Sequence, residues 1–320
     1  MAFNAVVSYN ESSPNLDHRM NNSEPPSFGF GIPAHNEAQT IGPLLEHLIT
    51  IKWAGRRPDK IVVVSDGSDG TIDVVKALAS KSKEVPIILK AFSERRGKPT
   101  AINEMVKEFG GLEVIGMISA DCSPAAGTIE QLLEAFQDPT IGISAGRVVT
   151  CGPEDNLAVS ISKILWDVHH EIALDHPKST EITFFRNIPL AVHPTTKADE
   201  ADLEASLLEN GYKISYNPTA IIYNQAPLAL SDYFKQRVRV TVGHLDVTKR
   251  TGYNVGTMKM GSRVDAIKKV IRRGDHRLTT LALGTFLETV IYLCARFKML
   301  CASKDNSGIW SQSATTKRPF

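Results

Sequence analysis

The residues able to do chemistry in this chain fall into short clusters, each at the end of an apolar run. They are Pro33-Ala34-His35-Asn36-Glu37, Ser65-Asp66-Gly67-Ser68-Asp69-Gly70-Thr71, Arg96-Gly97-Lys98, Ser119-Ala120-Asp121 and Asp199-Glu200. In open α/β sheets, ligands bind outside the carboxyl ends of the strands. Loops that follow successive strands therefore converge on one crevice, and these loops bring carboxylates, glycines and a lysine, as a phosphorylated ligand and its metal require. His35, Glu37 and Asp66 at neighbouring strand ends suit a base and ribose. Gly97-Lys98 opens a crossover helix, where the helix N-terminus and the lysine both favour phosphate. A buried carboxylate such as Asp121 is costly unless paired or metal-bound, and Mg²⁺ or Mn²⁺ would bridge it to substrate phosphates. Asp199-Glu200-Ala201-Asp202-Leu203-Glu204 holds more negative charge than one helix start needs, and one of its acids suits a general base. Singly, the first two clusters read better as a turn with an N-cap, Lys98 reads equally well as a solvated lysine, and the acids from Asp199 are ordinary partners of a helix start; the case rests on their combination.

The elements that must position these clusters alternate strand and helix from Phe28 to about Ile143. Phe28–Ile32, Ile61–Val64, Val85–Leu89 and Val114–Ile118 have strand length and composition. Ile41, Leu44, Leu45, Leu48 and Ile49 follow the spacing of one buried helix face, with Thr40 as its cap and Pro43 harmless in the first turn. Thr71–Ala79 and Thr128–Phe136 read as further crossover helices, which implies a parallel sheet with helices on both faces. Beyond these lie a helix at Asn156–Leu174, a strand near Ile182–Phe185, a helix from Asp199 to Asn210 stopped by Gly211, and two short strands, Lys213–Tyr216 and Ala220–Tyr223. From Ser231 onward the chain looks mostly helical.

Several lookalikes are set aside. Gly29-Phe30-Gly31-Ile32-Pro33-Ala34 spells a dinucleotide fingerprint, but its glycines lie inside a strand and Pro33 follows. Gly97-Lys98-Pro99-Thr100 lacks the first glycine of a P-loop, and Asp66–Gly70 lacks EF-hand spacing. Net charge is +1, which gives no electrostatic case for nucleic acid. Four scattered cysteines without a CxxC pair read as thiols of a reducing, cytoplasmic compartment. Residues 1–27 lack an apolar signal core and read as a disordered leader. Leu278–Leu300 is apolar but interrupted by Glu288 and Arg296, so a buried or interfacial helix is expected there rather than a span. Arg263, Lys268, Lys269, Arg272 and Arg273 precede it, which leaves open a peripheral contact with the inner face of a membrane through 263–300.

Taken together the motifs resemble those of the family 2 glycosyltransferases, which have the GT-A fold. The resemblance rests on Ile32–Glu37 with Val64–Thr71, then Gly97–Asn103, Gly211–Ile214 and Gln236–Arg239, and runs from about Ser27 to His244. It implies a mostly parallel α/β sheet flanked by helices over 28–245, with a helical extension over 246–320. It also implies inverting transfer of sugar from a nucleotide-sugar donor, UDP- or GDP-linked, to a glycan or lipid-linked acceptor, assisted by Mg²⁺ or Mn²⁺. Carried over by position, Pro33, His35, Glu37 and Asp66 line the nucleoside site, Lys98 lies near the donor, and Asp121 is the metal-binding acid. Glu200 falls at the base position with Asp199 as the near alternative, and Gln236, Arg237 and Arg239 lie near the acceptor or diphosphate. Ser119 replaces the first acid of the D-x-D metal motif, and Val240 replaces the tryptophan of Q-x-x-R-W. With at most one membrane helix, transfer of a single sugar is expected rather than processive synthesis. The rival readings are a nucleotidyltransferase, which would release pyrophosphate, and a degenerate domain that binds nucleotide-sugar or a partner without turnover.

Overall fold

The computed structural model describes residues 25–51, 53, 55–301 and 317. The expected leader lies outside the described residues up to residue 24; Ser27 is already tied in, its N–H donating to Glu113 Oε2 at 2.8 Å.

In chain order the elements are β1 (Phe28–Ala34), α1 (Ile41–Thr50), β2 (Ile61–Ser65), α2 (Thr71–Ala79), β3 (Ile87–Ala91), α3 (Lys98–Val106), β4 (Val114–Ile118), β5 (Cys122–Pro124), α4 (Thr128–Glu134), β6 (Ile141–Cys151), α5 (Leu157–Asp175), β7 (Ile182–Arg186), α6 (Asp199–Glu209), β8 (Lys213–Gln225), α7 (Leu230–Thr251), α8 (Met260–Arg273) and α9 (Leu278–Cys301). One sheet runs β3-β2-β1-β4-β7-β6-β8-β5. The β3-β2-β1-β4 half is parallel, as the strand–helix alternation requires. β7 then pairs antiparallel with both β4 and β6, so the sheet is mixed. Both faces of the parallel half are covered. Ile61 and Val63 of β2 join α1 and α2 in one core, while Val62 and Val64 join α3 and α6 in the other, the period-two division a doubly covered strand imposes.

Several expectations need correction. β3 starts at Ile87, not Val85, because Pro86 has no N–H to give the ladder. The two short strands expected over 213–223 are one strand, β8, which stays in register with β6 across an irregularity between Gly146 and Arg147. Ile141–Cys151 was not resolved as a strand by its pattern, although it is the partner that holds β8. Thr40 makes no side-chain cap; its hydroxyl donates to Glu37 Oε2 at 2.7 Å. Residue 245, the expected end of the catalytic unit, lies within α7, which continues to Thr251; the structure neither moves nor fixes that boundary.

The last three helices gather on α5. Ile161 packs with Tyr233, Val238 and Ile291, and Ile164 packs with Val270 and Leu281. α9 is long and apolar enough to cross a membrane by length and composition. One of its faces is nevertheless buried through Leu281, Gly284, Ile291 and Ala295, while Phe286, Leu293 and Phe297 are each more than 60 % exposed. The basic residues before it are largely engaged within the protein: Lys269 and Arg273 pair with Glu171, and Arg263 faces Glu288.

Candidate active site

Two adjoining regions at the carboxyl end of the parallel strands hold the residues singled out by sequence. The first is a crevice over β1 and β2. Asn36 takes a left-handed conformation (φ 54°), which asparagine tolerates, and its side-chain carbonyl accepts from Ser68 N–H at 2.9 Å. That turn sets His35 against Asp66, with His35 Nδ1 donating to Asp66 Oδ1 at 2.7 Å. The other Asp66 oxygen accepts from the N–H groups of Arg96 and Gly97, each at 2.8 Å. Asp66 therefore ties the loop before α3 to the end of β2. Burial, and then the Asp121 carboxylate, raise the Glu37 carboxyl above its usual range. Lys317, far along the chain, enters this crevice: its ammonium donates to the carbonyls of His35 (2.5 Å) and Asn36 (2.7 Å) and pairs with Glu37 at 2.6 Å.

The second region is a cavity of about 240 Å³. Lys98, Asp121, Asp199, Glu200, Gln236, Arg237 and Arg239 all line it, whereas Pro33, His35, Glu37 and Asp66 do not. Lys98, the first residue of α3, reaches across to the first turn of α6, pairing with Asp199 Oδ2 at 2.8 Å and Glu200 Oε1 at 3.2 Å. Burial opposes its charge, but the two carboxylates hold its ammonium well above the ordinary range. Burial also opposes ionisation of Glu200, yet Lys98 wins and pulls that carboxyl down. Asp199, deeper in the wall, stays raised by burial and by its neighbour Glu200. The other acids of the run have separate duties: Asp202 binds Arg250 at 2.7 Å, and Glu204 accepts from Tyr253 and from the Ser179 N–H. Arg237 is gripped by Glu288 of α9 through two bonds of 3.0 Å.

Sequence reasoning missed much of the cavity wall. Trp166 and His169 come from α5, Lys178 and Glu181 from the segment before β7, and His244 from α7. Burial, followed by Lys178 and Arg237, drives His244 down to about 3. Burial, followed by the Asp121 and Glu200 carboxylates, pushes Glu181 up to about 7. No short motif marks these residues; only the helical spacing of α5, which turns Trp166 and His169 toward one side, could have hinted at them.

The mixed sheet with helices on both faces and a polar cavity at its strand ends is the GT-A architecture. A mannosyltransferase, PcManGT from Pyrobaculum calidifontis, solved with GDP-Man and Mn²⁺, matches it with a TM-score of 0.62 at 19 % identity, over 88 % of this chain and 89 % of that one. The family model for glycosyl transferase family 2 matches residues 30–193, and the chain belongs to that family. It is 25 % identical to a probable glycosyltransferase, YdaM, of Bacillus subtilis over 71 % of this chain and 57 % of that protein. It is 24 % identical to a poly-β-1,6-N-acetyl-D-glucosamine synthase of Staphylococcus aureus over 72 % of this chain and 57 % of that protein. The chain thus spans little more than half the length of these relatives.

Proposed function

We propose that the protein transfers a single sugar, with inversion, from a UDP- or GDP-linked donor to a hydroxyl acceptor on a glycan or lipid-linked molecule, assisted by Mg²⁺ or Mn²⁺. The observation that carries this reading is the meeting of Lys98, Asp121, Asp199, Glu200 and Arg239 on the walls of one cavity beside the His35–Glu37–Asp66 crevice. The crevice receives the nucleoside. Its carboxylates suit ribose hydroxyls, and the Asn36 and Gly67 backbones approach so closely that a side chain at Gly67 would collide at 2.7 Å.

Asp121 supplies a carboxylate for the metal. It lines the cavity, and burial raises its carboxyl, the cost that a bound cation would offset. When bound, the metal would neutralise charge on the leaving diphosphate. Lys98 and Arg239 add fixed positive charge on the same wall, worth more in a water-poor cavity than in solvent. Glu200 takes the proton from the acceptor hydroxyl as that oxygen attacks the anomeric carbon; Lys98 keeps the carboxylate ionised and oriented. Gln236 and Arg237 border the acceptor side.

Residues 28–245 form the catalytic unit in this reading, and the helices that follow form an extension at the inner face of a membrane, with the exposed Phe286, Leu293 and Phe297 side of α9 turned to lipid. The test is calorimetric titration with UDP, GDP, dTDP and CDP, each with and without Mn²⁺, followed by product analysis with the donor that binds. Metal-dependent binding of one nucleotide and release of that nucleotide on sugar transfer are expected. Binding of none would refute the proposal, and pyrophosphate release from a triphosphate would replace it with nucleotidyl transfer.

A further inference from the structure

The metal motif of this chain is short of one acid, because Ser119 stands two residues before Asp121 where family members carry an aspartate. The strand register shows what faces that gap. β4 and β7 are antiparallel, with Val114 opposite Arg186 and Ile118 opposite Ile182. That is the last pair of the ladder, and Ser119 and Glu181 are the next residues beyond it, at the carboxyl end of β4. Glu181 lines the same cavity as Ser119 and Asp121.

Two further observations indicate that something should occupy this space. Among the described residues, no hydrogen bond or ion pair reaches the Glu181 carboxylate; the cations that act on it, Lys98 and Lys178, do so without contact. The nearby Lys98 is committed to Asp199 and Glu200, and the strongest attractions of Arg239 are those same two acids. In addition, the hydroxyls of Ser179 (2 % exposed) and Thr150 (6 % exposed) line the cavity without a hydrogen-bond partner. Buried polar atoms of this kind are rare unless a ligand or water completes them.

We propose that Glu181 replaces the missing acid: its carboxylate, delivered from the segment that leads into β7, joins Asp121 in holding the divalent cation that accompanies the nucleoside diphosphate. The inference rests on the donor reading above. All-oxygen ligation by two carboxylates and diphosphate oxygens suits Mg²⁺ and Mn²⁺. In this chain the metal's second protein carboxylate would therefore come from the segment before β7 and not from the loop that carries Asp121.

The experiment is a Mn²⁺ titration followed by electron paramagnetic resonance, using the full chain with the nucleoside diphosphate that the wild type binds. Glu181→Gln should weaken Mn²⁺ affinity about tenfold or more, since loss of even an outer-shell partner costs that much. The double variant Ser119→Asp/Glu181→Gln, which moves the carboxylate back across the strand pair, should recover most of the loss. Glu181→Gln that melts as the wild type does and binds Mn²⁺ with unchanged affinity would overturn the proposal. So would loss of turnover with Mn²⁺ binding intact, which would make Glu181 a proton acceptor instead. If Glu181→Gln fails to fold, Glu181→Asp takes its place, and unchanged Mn²⁺ affinity with the shortened carboxylate overturns the proposal equally. A wild type that binds no nucleoside diphosphate with or without Mn²⁺ would overturn the donor reading, and this inference with it.

Discussion

On the proposed assignment of Glu200 as general base, Glu200→Gln separates the chemistry of the first turn of α6 from its structural duty. The substitution keeps the shape of the side chain and removes its ability to accept a proton. Lys98 retains Asp199 at 2.8 Å, so its ammonium is not stranded. The Glu200 side chain is 31 % exposed against 4 % for Asp199, so the outer ion pair contributes little to stability, about 0–1 kcal/mol. Loss of a general base typically costs about 10²–10⁴ in rate, equivalent to about 2.7–5.5 kcal/mol of transition-state stabilisation. The expected result is a variant that melts close to the wild type and binds donor nucleotide as before, but turns over at least about a hundredfold more slowly. Asp199→Asn should do the reverse. It leaves the base in place and disturbs the buried partner of Lys98, costing about 1–3 kcal/mol of stability while retaining transfer. Initial rates of nucleotide release, taken with thermal melts of both variants, decide the matter. An active Glu200→Gln beside a folded but dead Asp199→Asn would refute the assignment and move the base one residue.

Other perturbations follow from the same geometry. Lys317→Ala should tighten nucleoside diphosphate binding severalfold in calorimetry, because the ammonium that now engages His35, Asn36 and Glu37 competes for that crevice; equal or weaker binding would show that Lys317 does not obstruct it. Glu288→Gln should cost about 3–5 kcal/mol in urea unfolding, since Arg237 would be left without its buried partner. Burial resists ionisation of Glu288, but Arg237 holds its carboxyl below the usual 4.5, so the wild-type advantage should be full above that pH and fade as pH falls further; a difference unchanged down to full acid protonation would contradict this. Gly146→Ala should lower the urea midpoint, by about 1–3 kcal/mol of stability, because a Cβ there would collide with the Ala220 carbonyl in the irregular part of the β6–β8 pairing. Phe286→Ser/Phe297→Ser should reduce co-sedimentation with anionic lipid vesicles if the exposed side of α9 meets lipid, and undiminished binding would remove that face from consideration.

Most of the parallel half of the fold was legible because local pattern and tertiary demand agree there. Ile61–Ser65 is buried along its whole length, so an unbroken apolar run is what a central parallel strand must show. α1 reveals itself through one buried stripe, and Val114–Ile118 ends where its sequence turns polar. The antiparallel half was harder to see. In β8, Asn217, Pro218 and Thr219 look like a turn between two strands, and only pairing with β6, which shifts register at Gly146, carries the strand through them. Nothing local to 213–225 encodes that partner, and β6 itself mixes Ser144, Arg147 and Thr150 among its apolar residues.

The candidate site divides the same way, and for a physical reason. Loops at the ends of parallel strands and the first turn of a helix are continuous in sequence, so Lys98 and Asp121 on the one hand and Glu200 on the other could be found as motifs before their spatial meeting was known. The wall opposite is built by register and by helix packing, which no short motif records. Glu181 reaches the cavity of Ser119 and Asp121 only because β7, which it leads into, runs back along β4. Arg237, read from sequence as a ligand-facing cation, turns out to be held by Glu288, so its position depends on the docking of α9 as well as on α7. A lesion on α9 can therefore reach the cavity wall without touching a motif residue. Gln236, its neighbour on α7, carries no such tether in the residues described, so disturbance of α9 should be felt first at Arg237 and only then along the rest of that cavity wall.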